Sequence, residues 1–364
     1  MRGRAAPARP THARRTRNAR PPTLKGAPHD PDDGARHPRP RPPQPRRAPP
    51  GHPQQAGALT MVPISGPAHR GFVPPRTGLK LTRVVGYGQV ELANRADSGV
   101  AVVPLHIGYI QDHAQNHALC RSAFLAAGQT VRFDDACCVQ QSQGGYLSER
   151  DQWFFVLPLE LRARALDLRG VTGYSKLWDD IAALNARHGL PRRGHLEQIL
   201  SRKRAVLTQF QSRLEPQPGQ LGALFFVSGR FAGLEIAPDP RYFAEMWTAL
   251  VCFAYGVAAW HAEPAPPGPD TAPYDLGPTD LAPNDGAPYE AARLAGLRAA
   301  LERDRSARLT EIGGWLADAP AGPVELREEE RYLDLRLSTV TGPHLAGQIV
   351  TDGDRTVYAS LFAR

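Results

Sequence analysis

The chain has 364 residues, 44 of them Lys or Arg against 36 Asp or Glu, for a formal charge of +8. Such a length exceeds what one small domain needs and suits one large domain with appendages. Only 4 cysteines in so long a chain exclude a disulfide framework, and the absence of a run of about 18 apolar residues argues against a membrane partner.

The charge is unevenly placed. Residues 1–60 carry 13 of the 44 basic side chains and 3 of the 36 acidic ones, which leaves the rest of the chain at a net −2. Nucleic acid is therefore an expected partner only of that segment, through 39–47 (RPRPPQPRR). With 14 prolines and few aromatic or β-branched residues, 1–60 cannot bury enough apolar area to offset the entropy of ordering. A disordered, polyproline-biased tail is expected, either a solvated or basic arm or sequence translated ahead of a start at Met61. No apolar signal region precedes the fold, and the expected location is a reducing cytoplasm.

Residues 61–364 read as a single domain. Short apolar runs at 79–83 and 89–93, separated by Gly86 and Gly88, predict a strand, a turn and a strand. Residues 100–110 predict a further strand, at a sheet edge or bulged, because Pro104 lacks the N–H that a central ladder needs. The runs 119–125 and 130–133 extend the set and 136–140 ends it; after the apolar run 153–157 the period changes. Over 159–168, 175–187 and 194–214 apolar residues recur three and four apart, the spacing of amphipathic helices, so that 158–214 forms a helical segment. A hairpin follows at 221–227 and 231–236 with a three-residue connection at 228–230. Asp239 and Pro240 then supply an N-cap and first-turn proline for a core helix reaching Trp260, whose most apolar part, 246–260, is too short to cross a membrane. Residues 263–289 form an acidic Pro-rich linker or insertion, a helix is expected at 288–316, and strands at 332–341, 344–351 and 356–362 end the chain. Strand-rich halves around a helical middle define an α+β fold with mostly antiparallel sheet.

Two polar clusters interrupt the apolar runs. One is Asp112, His113, Gln115, Asn116 and His117; the other is Cys138 and Gln140 with their neighbours Cys137 and Gln141. If both lie at strand ends of one sheet, they converge on a ligand. Gln115 and Asn116 offer amides that suit a base or ribose edge, or else they form the turn. His117 or His113 is a candidate general base with Asp112 to orient it. His106, Asp112, His113 and His117 resemble a metal-ligand set only by clustering, without a CxxC or HExxH pattern, and no metal or cofactor is implied. Cys137 and Cys138 are candidate nucleophiles or buried apolar thiols; adjacent in a strand, they point to opposite faces and cannot bridge one another. Arg162, Arg164, Arg169, Arg192, Arg193, Arg202, Lys203 and Arg204 make the helical middle positive, either as a solvated face or as a phosphate or RNA surface.

The pieces IQDHAQNHALCRSAFLAAG, CCVQQ, YSKLWDDI, GALFFVSGRFAGLEIAPDPRYFAEMW and DGDRTVYASLF occur in an order that resembles the ADP-ribosylglycohydrolase- and rhodanese-phosphatase-associated protein domain, a bacterial family of unestablished activity. The resemblance spans about 80–364 outside the Pro-rich insertion. Where the family has glycines, an Arg and a Glu, this chain has Asp112-His113-Ala114, His117 and Gln140. The expected function is a cytoplasmic binding module for a small polar or phosphorylated metabolite, related by resemblance to ADP-ribose or a nucleotide. A hydrolase or transferase of the same ligand class with a His/Asp acid-base pair is the alternative. Enzymatic activity and oligomeric state stay open.

Overall fold

In a computed structural model of the chain, which describes residues 51–110, 115–141, 153–262, 310 and 322–364, the first strand begins at Gln54. These residues belong to one unit, Pro45–Arg364. β1 (Gln54–Ala56) pairs with β2 (Leu59–Ser65) in antiparallel register, and Leu59, Met61 and Val62 are fully buried. Ordered chain thus starts before residue 61, and a start at Met61 would remove β1 and cut into β2. Composition averaged over the Pro-rich segment hid the short apolar run that makes these two strands.

The next elements are α1 (Pro75–Gly78), β3 (Leu79–Gly86), β4 (Gln89–Asn94), β5 (Val100–Val102), β6 (Ile107–Ile110), β7 (His117–Ala118), β8 (Phe124–Ala126), β9 (Thr130–Phe133), β10 (Cys137–Cys138) and β11 (Trp153–Val156). The strand expected over 100–110 is two strands in two sheets. Pro104 ends the first, and His106, at φ 62°, turns the chain into the second. Likewise 119–125 is mostly a connection between β7 and β8, which leaves Arg121 and Ser122 outside any ladder.

Helices α2 (Leu159–Asp167), α3 (Trp178–Arg187), α4 (Glu197–Arg202) and α5 (Arg204–Arg213) form the helical middle, the single helix expected over 194–214 being broken at Lys203. β12 (Gln220–Val227) and β13 (Arg230–Ile236) are joined by two residues rather than three, Ser228 at φ 52° and Gly229 at φ 74°, the left-handed pair that matches strand twist. α6 (Pro240–Thr248) starts as expected: the Asp239 carboxylate accepts hydrogen bonds from the N–H groups of Arg241 and Tyr242 at 2.9 and 3.0 Å. It continues through a π-helical stretch, Ala249–Tyr255, into α7 (Gly256–Trp260). That run of 21 residues is long and apolar enough to cross a membrane, contrary to the expected shortness, yet 72% of its most apolar window is buried inside the protein. Trp247 on this helix is buried, whereas Trp178 on α3 is half-buried.

β14 (Glu325–Tyr332), β15 (Leu335–Thr341), β16 (Leu345–Asp352) and β17 (Arg355–Ala363) close the chain. They extend the central hairpin into an eight-stranded sheet of order β1-β2-β12-β13-β17-β16-β15-β14. Smaller sheets, β10-β7-β6-β11, β3-β4-β9 and β5-β8, lie elsewhere in the unit, and all the strand pairs are antiparallel. The fold is α+β with mostly antiparallel sheet. Phe225, Tyr242, Phe243, Val251 and Tyr255 pack the large sheet against the helix that starts at Pro240, and Leu161, Ile181, Leu184, Ile199 and Leu207 pack α2–α5 together. The expected linker at 263–289 and helix at 288–316 lie outside the described residues, Thr310 apart.

Candidate functional site

The two polar clusters meet. β7 and β10 pair so that His117 faces Cys138 and Ala118 faces Cys137. Across this ladder the Asn116 N–H donates to Gln140 Oε1 at 3.0 Å, and Gln115 Nε2 donates to the Gln140 carbonyl at 3.4 Å. Asp112 and His113, the remaining candidates, lie outside the described residues.

Convergence here does not make an opening. Gln115, Asn116, His117, Cys138 and Gln140 are all buried, at 9% exposure or less, and none of them lines the cavities described below. His117 Nδ1 donates to the Gln115 carbonyl at 2.7 Å while its Nε2 accepts from the Gly88 N–H at 3.2 Å. Gly88 sits at φ 75°, and a Cβ there would press on the Ala136 carbonyl, so glycine is what allows the approach. Burial lowers the His117 pKa from 6.5 to about 4, so the ring is neutral, with both nitrogens engaged. Such a ring has no lone pair left for a substrate proton. Cys138 donates to the Gln140 carbonyl and burial raises its pKa, the state of a structural thiol.

A second buried network occupies the core under the large sheet. Arg162 on α2 is fully buried and reaches Glu235 Oε1 at 2.7 Å, Tyr255 Oη at 3.2 Å, Ser360 Oγ and His106 Nδ1. Tyr255 Oη also donates to Glu235 Oε1 at 2.7 Å, over Gly233, where a Cβ would collide with the tyrosine oxygen. His106 thus points to Arg162 and His117 to Gly88, and among the described residues no three His, Cys, Asp or Glu side chains are grouped to hold a metal. The adjoining cavity, about 10 Å³, has room for about one water molecule.

An open polar site lies elsewhere, on the outer strands of the large sheet. A cleft of about 640 Å³ is lined by Arg121 and Ser122 from the β7–β8 connection, Arg169 and Gly170 after α2, Arg327, Glu329 and Glu330 on β14, Leu337 on β15 and Gln348 on β16. This volume is in the range of small-molecule sites. Arg169 forks onto Glu329 Oε1 at 3.2 and 3.3 Å and Arg327 approaches the same oxygen at 3.9 Å. Arg121 lies over the Phe133 ring and 3.4 Å from Asp135, whose carboxylate also accepts from the Gly170 N–H. Glu330 accepts from the Phe124 N–H, and burial raises its pKa. At the cleft wall the Ser122 N–H donates to Gln348 Oε1 at 2.7 Å, Gln348 Nε2 donates to Thr339, and the buried Ser122 hydroxyl has no hydrogen-bond partner among the described residues. Of the lining groups only Arg169 belonged to the positive set read from the sequence. The others come from five separated segments, and no local motif marks them.

This architecture, an antiparallel α+β unit with polar groups gathered at loops and outer strands, defines the class of protein. The sequence pattern of the ARG and Rhodanese-Phosphatase-superfamily-associated Protein domain matches residues 48–362, and the chain belongs to that family. No curated protein and no solved structure matches the chain.

Proposed function

We propose that the protein is a binding module for a small polar or phosphorylated metabolite, held in the cleft between β14 and the β7–β8 connection. The observation that carries this reading is the open cleft of about 640 Å³ whose wall mixes guanidinium, carboxylate and amide groups. Three guanidinium groups border the same space as two carboxylates. Guanidinium forks suit phosphate oxygens, and the carboxylates suit sugar hydroxyls. A ligand with both kinds of group, such as a sugar phosphate or nucleotide, answers the whole lining. Because Glu329, the carboxylate now paired with Arg169 and Arg327, is partly exposed, exchanging it for phosphate costs little.

The family's name associates it with ADP-ribosylglycohydrolase and rhodanese-phosphatase proteins, so ADP-ribose is the first probe. Calorimetry on the full chain with ADP-ribose, ribose 5-phosphate and inorganic pyrophosphate tests the reading. Binding by one of them that weakens about tenfold or more in Arg121→Ala and Arg169→Ala supports it. No binding, or binding that ignores both substitutions, overturns it. A hydrolase or transferase that uses His117 as its base gains no support, since that ring's nitrogens are both committed to backbone.

A further inference from the structure

Four cysteines are free and buried, and two of them touch: Cys120 Sγ lies 3.1 Å from Cys137 Sγ. A covalent S–S bond is about 2.05 Å, so closing this gap needs about an ångström of movement. The register explains the contact. Cys137 stands opposite Ala118, and Cys120, two residues beyond Ala118, returns to the same face, where both thiols pack in one apolar cluster. Cys138 points to the other face and is held by the Gln140 carbonyl, and Cys252 lies in the π-helical stretch.

The surroundings also set the two sulfurs apart chemically. With Cys120 as donor, its hydrogen bond holds Cys137 below the ordinary thiol pKa and raises its own, and the Lys176 ammonium favours the Cys137 thiolate further. Lys176 is anchored nearby on the carbonyls of Asp135 and Leu168.

We propose that Cys120 and Cys137 are a reversible oxidation site, closing to an intramolecular disulfide in the presence of hydrogen peroxide. The Cys137 thiolate attacks one peroxide oxygen, the O–O bond breaks, and the departing hydroxide takes a proton to leave as water. The resulting sulfenic acid is attacked by Cys120 sulfur, which gives up its proton as the S–S bond forms and a second water leaves. Two thiols are oxidised by two electrons and one peroxide is reduced to two waters. Both sulfurs are buried, so the reaction waits on local opening of the chain around them. The site is independent of what fills the Arg121 cleft.

The test uses the full chain, treated with hydrogen peroxide, denatured in an alkylating agent and mapped by mass spectrometry. Two of the four thiols are expected to escape alkylation, in linked peptides containing Cys120 and Cys137, with recovery after dithiothreitol. Cys138→Ser and Cys252→Ser keep the link; Cys120→Ser and Cys137→Ala lose it. The oxidised chain melts about 5 °C higher than the reduced one. Four alkylated thiols after oxidation, or a link through Cys138, overturns the proposal, as does an oxidised chain that melts no higher than the reduced one.

Discussion

His117 and Arg121 are four residues apart in the chain, yet they end in opposite kinds of polar environment. Around His117 the hydrogen bonds end on backbone or on a neighbouring amide, and the side chains are buried. Around Arg121 the partners are charged side chains at an open cleft, and the buried Ser122 hydroxyl beside them has no partner among the described residues. The difference separates two uses of polarity. In the first, side chains stand in for missing strand partners, because β7 and β10 are two residues each and leave amides at their ends. In the second, charge is kept where water or a ligand can reach it.

Breaking the closed kind of polarity should cost stability, and the largest effect belongs to Arg162. Replacing it by Ala strands the Glu235 carboxylate in the core beside Tyr255, a loss of about 3–5 kcal/mol by denaturant titration. The paired change Arg162→Met with Glu235→Leu should recover much of this, since it removes both charges. A double variant no better than the single one would show that packing, not the stranded charge, dominates.

The next effect is on pH dependence. His117 titrates near 4 in the fold and at 6.5 when unfolded, so between these values the unfolded chain binds a proton that the folded one refuses. Its contribution is therefore full above about pH 6.5, declines as the pH falls, and is lost below about 4, by about 3 kcal/mol in all. Unfolding curves for wild type and His117→Asn from pH 7 to 4 measure it; the variant should show a flatter decline. His188, lowered to about 4 chiefly by burial, and His106, lowered well below its usual value by burial and by Arg162, add slope in the same direction in both proteins.

Local chemistry made much of this fold legible. The Asp239-Pro240 cap, the helical periods of α2 and α3 and the hairpin at Ser228-Gly229 follow from side chains adjacent in sequence. So does the meeting of the two polar clusters, since an apolar run between polar ends predicts pairing. Their burial was not legible: periodicity tells which residues share a face but not what later covers it. The cleft was hidden for a different reason. Arg121, Arg169, Arg327 and Gln348 come together only because β14–β17 join the sheet edge beside a loop that is about 200 residues earlier. β1, β2 and β14 were missed because a Pro-rich segment and a charge-rich stretch, ELREEERY, mask short strands.

Two substitutions with smaller effects on stability sharpen the contrast most directly. Gln140→Leu takes from the buried Asn116 N–H its side-chain acceptor and should cost about 1–3 kcal/mol, with ADP-ribose affinity unchanged once the protein is folded. Arg327→Ala should do the reverse. Its side chain is 71% exposed and only 3.9 Å from Glu329 at best, so its loss changes stability by no more than about 0.5 kcal/mol. As a border of the cleft, however, it gives the incoming phosphate a cation, and its removal should weaken ADP-ribose binding about threefold to tenfold, with a shallower salt dependence. Measured side by side, these variants decide whether the closed cluster and the open cleft divide stability and binding between them. If Gln140→Leu abolishes binding in a protein that still melts cooperatively, the division fails and the ligand lies at the β7–β10 ladder.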